Sequence, residues 1–199
     1  MAMANLARRD ELLESALIVI QREGPNASME AMAAEAGITK PILYRHFGDR
    51  DGLIAAMASR FGRQLVERLS AVLAEPASPR ERIEAAVGSY VSFIEEDPAL
   101  YVFLTQQGEV LSLVESGVIE RVASLLAGAI SDTMAAAGLP ARPTETWAYG
   151  VVGMMHLAGA RWAATPGQSR QQLVADLVSL VADGLLGATA VETVAPSLR

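Results

Sequence analysis

The chain has 199 residues, 51% of them hydrophobic, with 16 Lys or Arg against 23 Asp or Glu for a formal net charge of −7. That composition suits a globular protein with enough chain to bury a core in one or two domains, and it excludes a disordered one. With no cysteine and only two histidines, thiol catalysis, disulfide frameworks and sulfur-bearing zinc sites are excluded, and no metal or other cofactor is expected.

Helical spacing dominates from the start. Between residues 8 and 23, Leu13, Ala16, Leu17 and Ile20 recur at i, i+3, i+4 and i+7, and Gly24-Pro25 stops this first helix. The few residues before it carry no periodic pattern and are expected to be loose. Ser28 is placed to N-cap a short second helix striped by Met29, Met32, Ala33 and Ala36 and closed by Gly37. Thr39 caps a third, with Pro41 in its first turn, Leu43 and Phe47 facing inward and Gly48 at its end. Asp49 caps a fourth over residues 52–74, and Asp51 adds negative charge at the positive end of its dipole.

The remainder reads the same way. After a break at Pro76 to Pro79, residues 80–95 carry Ile83, Val87, Tyr90, Val91 and Ile94 on one side. Pro98 opens a short apolar segment, residues 99–104, and Gly108 and Gly117 are candidate breaks before a helix over 118–137. Thr144 caps a helix through residue 164, Ser169 caps a last one to residue 186, and a flexible tail is expected over 188–199. The longest uncharged run, residues 146–160, is shorter than the roughly 20 residues a membrane span needs. The first residues also lack the apolar block of a signal peptide, so the expected location is the cytoplasm, off the membrane.

Net charge hides an asymmetry. Residues 1–63 hold eight basic and eight acidic side chains, whereas residues 64–199 hold eight and fifteen, so all the net acidity lies in the larger part. A polyanionic partner needs a locally basic face. Lys40, the only lysine, lies with Arg45 and Arg50 in the balanced part. Residues 28–47 there place two short helices across the turn Ala36-Gly37-Ile38-Thr39, the helix-turn-helix pattern, whose second helix presents its N-terminal residues to the major groove. By shape alone the pattern is common, and a solvated charged face fits it as well.

The side chains are more specific. The string TKPILYRHF followed by GDRDGL resembles the signature of the TetR family of transcriptional regulators, most closely over residues 10–55, where Gly24, Ala33, the Gly37 turn, Leu43-Tyr44, His46-Phe47 and Leu53 fall at the family's spacing. The resemblance implies an all-α fold with a three-helix helix-turn-helix DNA-binding head over residues 1–52. A larger helical ligand-binding and dimerisation domain would follow over 53–187, with the fourth helix as the link and the last two helices forming a homodimer. On a palindromic operator in double-stranded DNA, Lys40, Pro41 and Ile42 would read base edges, the lysine donating to guanine O6 or N7 and the apolar groups meeting a thymine methyl. Tyr44, Arg45, His46 and Arg50 would hold phosphates, Arg50 standing where the family commonly has a lysine. Thr39 and the backbone N–H groups near Ser28 would add to them. Glu30 would either accept from cytosine N4 or stabilise its own helix dipole. Three or four cationic contacts per subunit would give log K a slope of roughly −5 to −7 against log salt.

In the larger domain Tyr90, Phe93, Tyr101, Phe103, Trp147, Met154 and Met155 are the candidate lining of a site for a small, mostly apolar effector, although each is also an ordinary core residue. His156, inside GVVGMMHLAGA, fits a satisfied buried histidine or an interface residue better than a ligand contact, and Gly150, Gly153 and Gly159 favour close helix approach. The expected function is a repressor released from its operator by that effector. The alternative is a helical carrier of apolar molecules whose head no longer reads DNA. An enzyme is not expected, because the sequence holds no paired carboxylates, nucleophile elbow or phosphate-cradling glycine loop, and Glu95-Glu96-Asp97 reads as solvated surface.

Overall fold

Good helix formers fill this chain between well-placed capping residues, and the computed structural model, which describes residues 2–106, 117–140, 142–165 and 167–190, shows nearly all of them as helix. Among the described residues nine α-helices follow one another with no strand: α1 (Ala2–Glu23), α2 (Met29–Glu35), α3 (Lys40–Phe47), α4 (Arg50–Ala74), α5 (Pro79–Glu96), α6 (Pro98–Gln106), α7 (Val118–Ala136), α8 (Thr144–Ala164) and α9 (Arg170–Ala190). A single 3-10 turn, Gly24–Asn26, joins α1 to α2. The break expected at Gly108 and the tail from residue 191 lie outside the described residues.

Local chemistry sets the helix starts. Ser28 Oγ accepts the Ala31 N–H at 3.1 Å, and Asp49 Oδ1 accepts the Gly52 N–H at 2.7 Å. Two reciprocal capping boxes open later helices. Glu81 Oε2 accepts the Ser78 N–H at 2.9 Å at the start of α5, and Gln172 Oε1 accepts the Ser169 N–H at 3.1 Å while Ser169 Oγ accepts the Gln172 N–H at 3.2 Å at the start of α9. Asp97 is more than solvated surface, since its Oδ1 accepts the Leu100 N–H at 3.0 Å and caps α6, while Oδ2 accepts from Gln21 at 2.8 Å.

Four expectations are corrected. α1 begins at Ala2 instead of residue 8, because the Ala, Met and Leu before Arg8 favour helix without any apolar stripe. α9 continues to Ala190, with Gly184 and Gly187 inside it, so glycine there does not act as a stop. Thr39 occupies the N-cap position of α3 but makes no side-chain cap bond; only its carbonyl is engaged, accepting from Ile42 and Leu43. Thr144 is the first residue of α8, with Pro143 at the cap position.

The chain divides into two compact units, Met1–Gln64 with Glu96–Val118, and Leu65–Glu95 with Ile119–Arg199. In the first, Leu12, Val19 and Ile20 of α1, Met32 of α2, Leu43 of α3, Leu53 and Ile54 of α4 and Phe103 and Leu104 of α6 form one buried cluster. Each such side chain contributes about 1.5–3 kcal/mol by leaving water. α6 therefore packs with the N-terminal helices, an association across the chain that periodicity does not report. In the second unit Val87, Tyr90, Val91, Phe93 and Ile94 are the buried face of α5. Ala123 and Ala127 of α7 meet Ala148 of α8, where small side chains allow close approach. On α9 the buried set is Leu173, Leu177, Val178, Val181 and Ala182, while Leu180 is 59% exposed. Adjacent residues point about 100° apart on a helix, so Leu180 and Val181 cannot both centre one face. No described helix is long and apolar enough to cross a membrane.

Candidate nucleic-acid interface

Two backbone hydrogen bonds close α2 and set the direction of α3. The Gly37 N–H donates to Ala34 O and the Ile38 N–H to Ala33 O, both at 3.0 Å, with Gly37 at φ +66°. This is the Schellman arrangement, and its left-handed residue favours glycine because a Cβ would be strained there. Ile38 then packs against the head core, pinning the turn. Thr39 is extended, and α3 starts at Lys40 with Pro41 in its first turn. On the far side Gly52 lets α4 approach the end of α3, since a Cβ there would collide with the Phe47 carbonyl oxygen.

With Leu43 fully buried and Phe47 nearly so, α3 has one face fixed in the core. The opposite face is open: Thr39, Pro41 and Arg45 are exposed, and Lys40, Ile42, Tyr44 and His46 are half-buried. Arg45 and His46 lie in the last turn, where positive charge suits the helix dipole.

Lys40 does not stand alone. Its Nζ forms an ion pair with Glu30 in the first turn of α2, and it lies 5.5 Å from the Tyr44 ring centroid. The Glu30 hydrogen bond raises the Lys40 pKa and, reciprocally, lowers that of Glu30. Neither role expected of Glu30 includes this one: it fixes the lysine's position and joins the first turns of the two helices. Arg9 was also missed by sequence reasoning. Its guanidinium lies 4.8 Å from the Phe47 ring centroid, beside the end of α3, and the only sequence signal was the adjacent pair Arg8-Arg9.

Arg50, expected to hold a phosphate, also has contacts within the head. Its Nη1 donates to Ala27 O at 2.9 Å and its guanidinium lies 5.3 Å from the Phe103 ring centroid, so it ties the start of α4 to the residue before the α2 cap and to α6. The Ser28 hydroxyl oxygen caps α2 as expected, and the phosphate contact expected near it is one of backbone N–H groups. Of the expected contacts, Thr39, Pro41 and Arg45 are exposed and Lys40, Ile42, Tyr44 and His46 half-buried along α3, with Tyr44 also packing against the head core.

The second unit holds a cavity of about 190 Å³ walled chiefly by Leu73, Ile83, Val87, Leu126, Ile130, Met134, Trp147 and Val181, with Arg82 and Thr133 among the lining. Of the residues expected to line an effector site, Trp147 lines this cavity. Tyr90, Phe93 and Met155 are core, with the Tyr90 hydroxyl donating to the Met155 carbonyl at 3.1 Å, and Met154 is half-buried. Tyr101 and Phe103 belong to the first unit, so neither lines it. Arg82 was not singled out by sequence because an arginine in the first turn of an amphipathic helix reads as solvated. His156 is half-buried, and desolvation lowers its pKa.

Comparison with known proteins agrees with this geometry. The family model described as bacterial regulatory proteins, tetR family, matches residues 12–57, and the one described as tetracyclin repressor-like, C-terminal domain, matches residues 68–198. An uncharacterized HTH-type transcriptional regulator of Mycobacterium tuberculosis is 32% identical over 185 residues, covering 90% of this chain and 78% of that protein. The HTH-type transcriptional activator FasR of Mycolicibacterium smegmatis is 28% identical over 157 residues, covering 78% and 72%. The crystal structure of a TetR-like transcriptional regulator from a Rhodococcus species superposes with a TM-score of 0.65 at 27% identity, covering 90% of this chain and 96% of that one.

Proposed function

The chain belongs to the TetR family of bacterial transcriptional regulators and is a sequence-specific DNA-binding regulator, and on that premise we propose that it is a homodimeric repressor, acting in the cytoplasm, that leaves a palindromic operator when a small, largely apolar effector binds. The observation that carries the DNA-reading part is the open face of α3, whose other face is locked into the head core by Leu43 and Phe47. Lys40, Pro41 and Ile42 read bases, with Tyr44, Arg45, His46 and the Thr39 hydroxyl on phosphates. Arg50 and the Ser28 hydroxyl act as braces that hold α2 and α4 in place for that contact.

Dimerisation through α8 and α9 is supported by their exposed apolar side chains. Tyr149, Gly153 and Leu157 recur four apart along α8, Leu157 is 69% exposed, and Leu180 is exposed on α9. A symmetric pair of such surfaces removes them from water, and a two-fold dimer reads a palindrome when its two α3 helices occupy successive major grooves, about 34–36 Å apart. An effector that binds the differently spaced conformation more tightly then lowers DNA affinity by that difference alone.

The test is selection of the purified protein on a random pool of duplex DNA, with light scattering to count subunits. The expected result is a dimer that enriches a palindrome with half-sites one helical turn apart. A folded protein that enriches nothing, even after unfolding and refolding to strip a carried-over ligand, overturns the reading in favour of a carrier.

A further inference from the structure

Arg82 lies in the first turn of α5, where a solvated side chain is the usual case, yet it lines the apolar cavity. Its charged neighbours are engaged. Arg80 pairs with Glu84 at 3.5 Å and with Asp183 at 3.1 Å, and Glu81 closes the capping box with Ser78. Arg82 forms no salt bridge with any described residue. Its Nη1 reaches Thr133 Oγ1 at 3.4 Å, the long limit of an N–H···O contact. That hydroxyl donates its own proton to the Ala129 carbonyl at 2.8 Å and accepts from the arginine through a lone pair. The Arg82 Nε is buried with no hydrogen-bond partner among the described residues.

A buried guanidinium N–H without an acceptor is costly, and a methionine of similar length would line the cavity without that penalty. The arginine makes sense when the acceptor arrives with the ligand. We propose that Arg82 anchors the anionic group of an amphiphile, a carboxylate or phosphate monoester, whose apolar body fills the cavity beside Trp147. The guanidinium fork matches both heads, because each offers two oxygens to parallel N–H donors. The volume, about 190 Å³, compares with roughly 150 Å³ for a cavity that holds benzene, which sets the body at a short to medium chain or a substituted ring. This deepens the effector reading above and rests on it.

Calorimetric titration of the full-length protein with octanoate, octyl phosphate and uncharged 1-octanol tests it. At least one anion is expected to bind about tenfold or more tightly than octanol, the yield of a charge-assisted hydrogen bond, and the better of the two identifies the head group. Arg82→Met is expected to remove that advantage, bringing the anion-to-octanol affinity ratio to about one, and Arg82→Lys to keep part of it. Octanol binding as tightly as both anions, no binding of either anion, or both variants binding the anions like wild type overturns the anchor. Should Arg82→Met not fold, the wild-type anion-to-octanol ratio and Arg82→Lys decide alone. DNA selection distinguishes the two failures. A palindrome without anion binding keeps the regulator and removes the anchor, whereas anion binding without DNA enrichment keeps the anchor and removes the regulator.

Discussion

The two units put their cations to opposite uses. In the first, the positive charges of α3 stay at the surface: Arg45 faces out, and Lys40 is steadied by Glu30 without leaving water. In the second, Arg82 lines an apolar cavity with its Nε buried and unpaired. The contrast follows from the partners each can take. A DNA phosphate releases counterions when an exposed cation meets it, so reading a polymer rewards charge left in solvent. A small ligand has too few contacts for that and gains from one charge of the right shape set into an apolar wall.

The comparison breaks most severely if α3 is not held by its core face. Leu43→Ala, at a site with no exposure, is expected to cost about 2–5 kcal/mol and to abolish DNA binding through loss of the head, seen as a lower melting temperature with weakened near-ultraviolet dichroism. Unchanged melting with lost binding would make Leu43 a contact instead. Arg50→Lys separates brace from phosphate ligand. A phosphate contact tolerates lysine, whereas the bond to Ala27 and the contact with Phe103 do not, so a loss of about 1–2 kcal/mol in thermal or urea unfolding is expected.

Smaller effects sharpen the picture. Glu30→Gln releases Lys40 and removes a negative charge beside the phosphates, so DNA affinity should rise by about two- to fivefold at low salt, with poorer discrimination between operator and unrelated DNA. Weaker binding in a filter or anisotropy assay would show that Glu30 itself contacts bases. The smallest effect concerns His156. Its folded-state pKa is depressed by desolvation, so its contribution is fully present above the unfolded value near 6.5 and is lost as pH falls through the lower folded value. Urea unfolding should therefore show a modest decline in stability on acidification that His156→Leu flattens.

How much was legible follows the range of the interaction. The turn at Gly37, the caps at Ser28 and Asp49, and the burial of Leu43 and Phe47 are set by residues within a few positions, and spacing reports them directly. α6 joining the head, Arg50 lying over Phe103 and Lys40 meeting Glu30 need segments far apart or on different helices, and periodicity carries no record of which faces meet. The cavity was the least legible. Aromatic and methionine content pointed to Tyr101 and Phe103, which belong to the other unit, while the polar lining came from Arg82 and Thr133, residues that a helical pattern assigns to solvent.

The most direct test of the central claim is the affinity of Lys40→Ala/Arg45→Ala for the selected operator, measured beside wild type with melting temperature and octanoate affinity as controls. Both side chains lie off the core, so folding and ligand binding should be retained while operator affinity falls by about a hundredfold or more. A folded double variant that still binds the operator like wild type would contradict the assignment of DNA reading to α3.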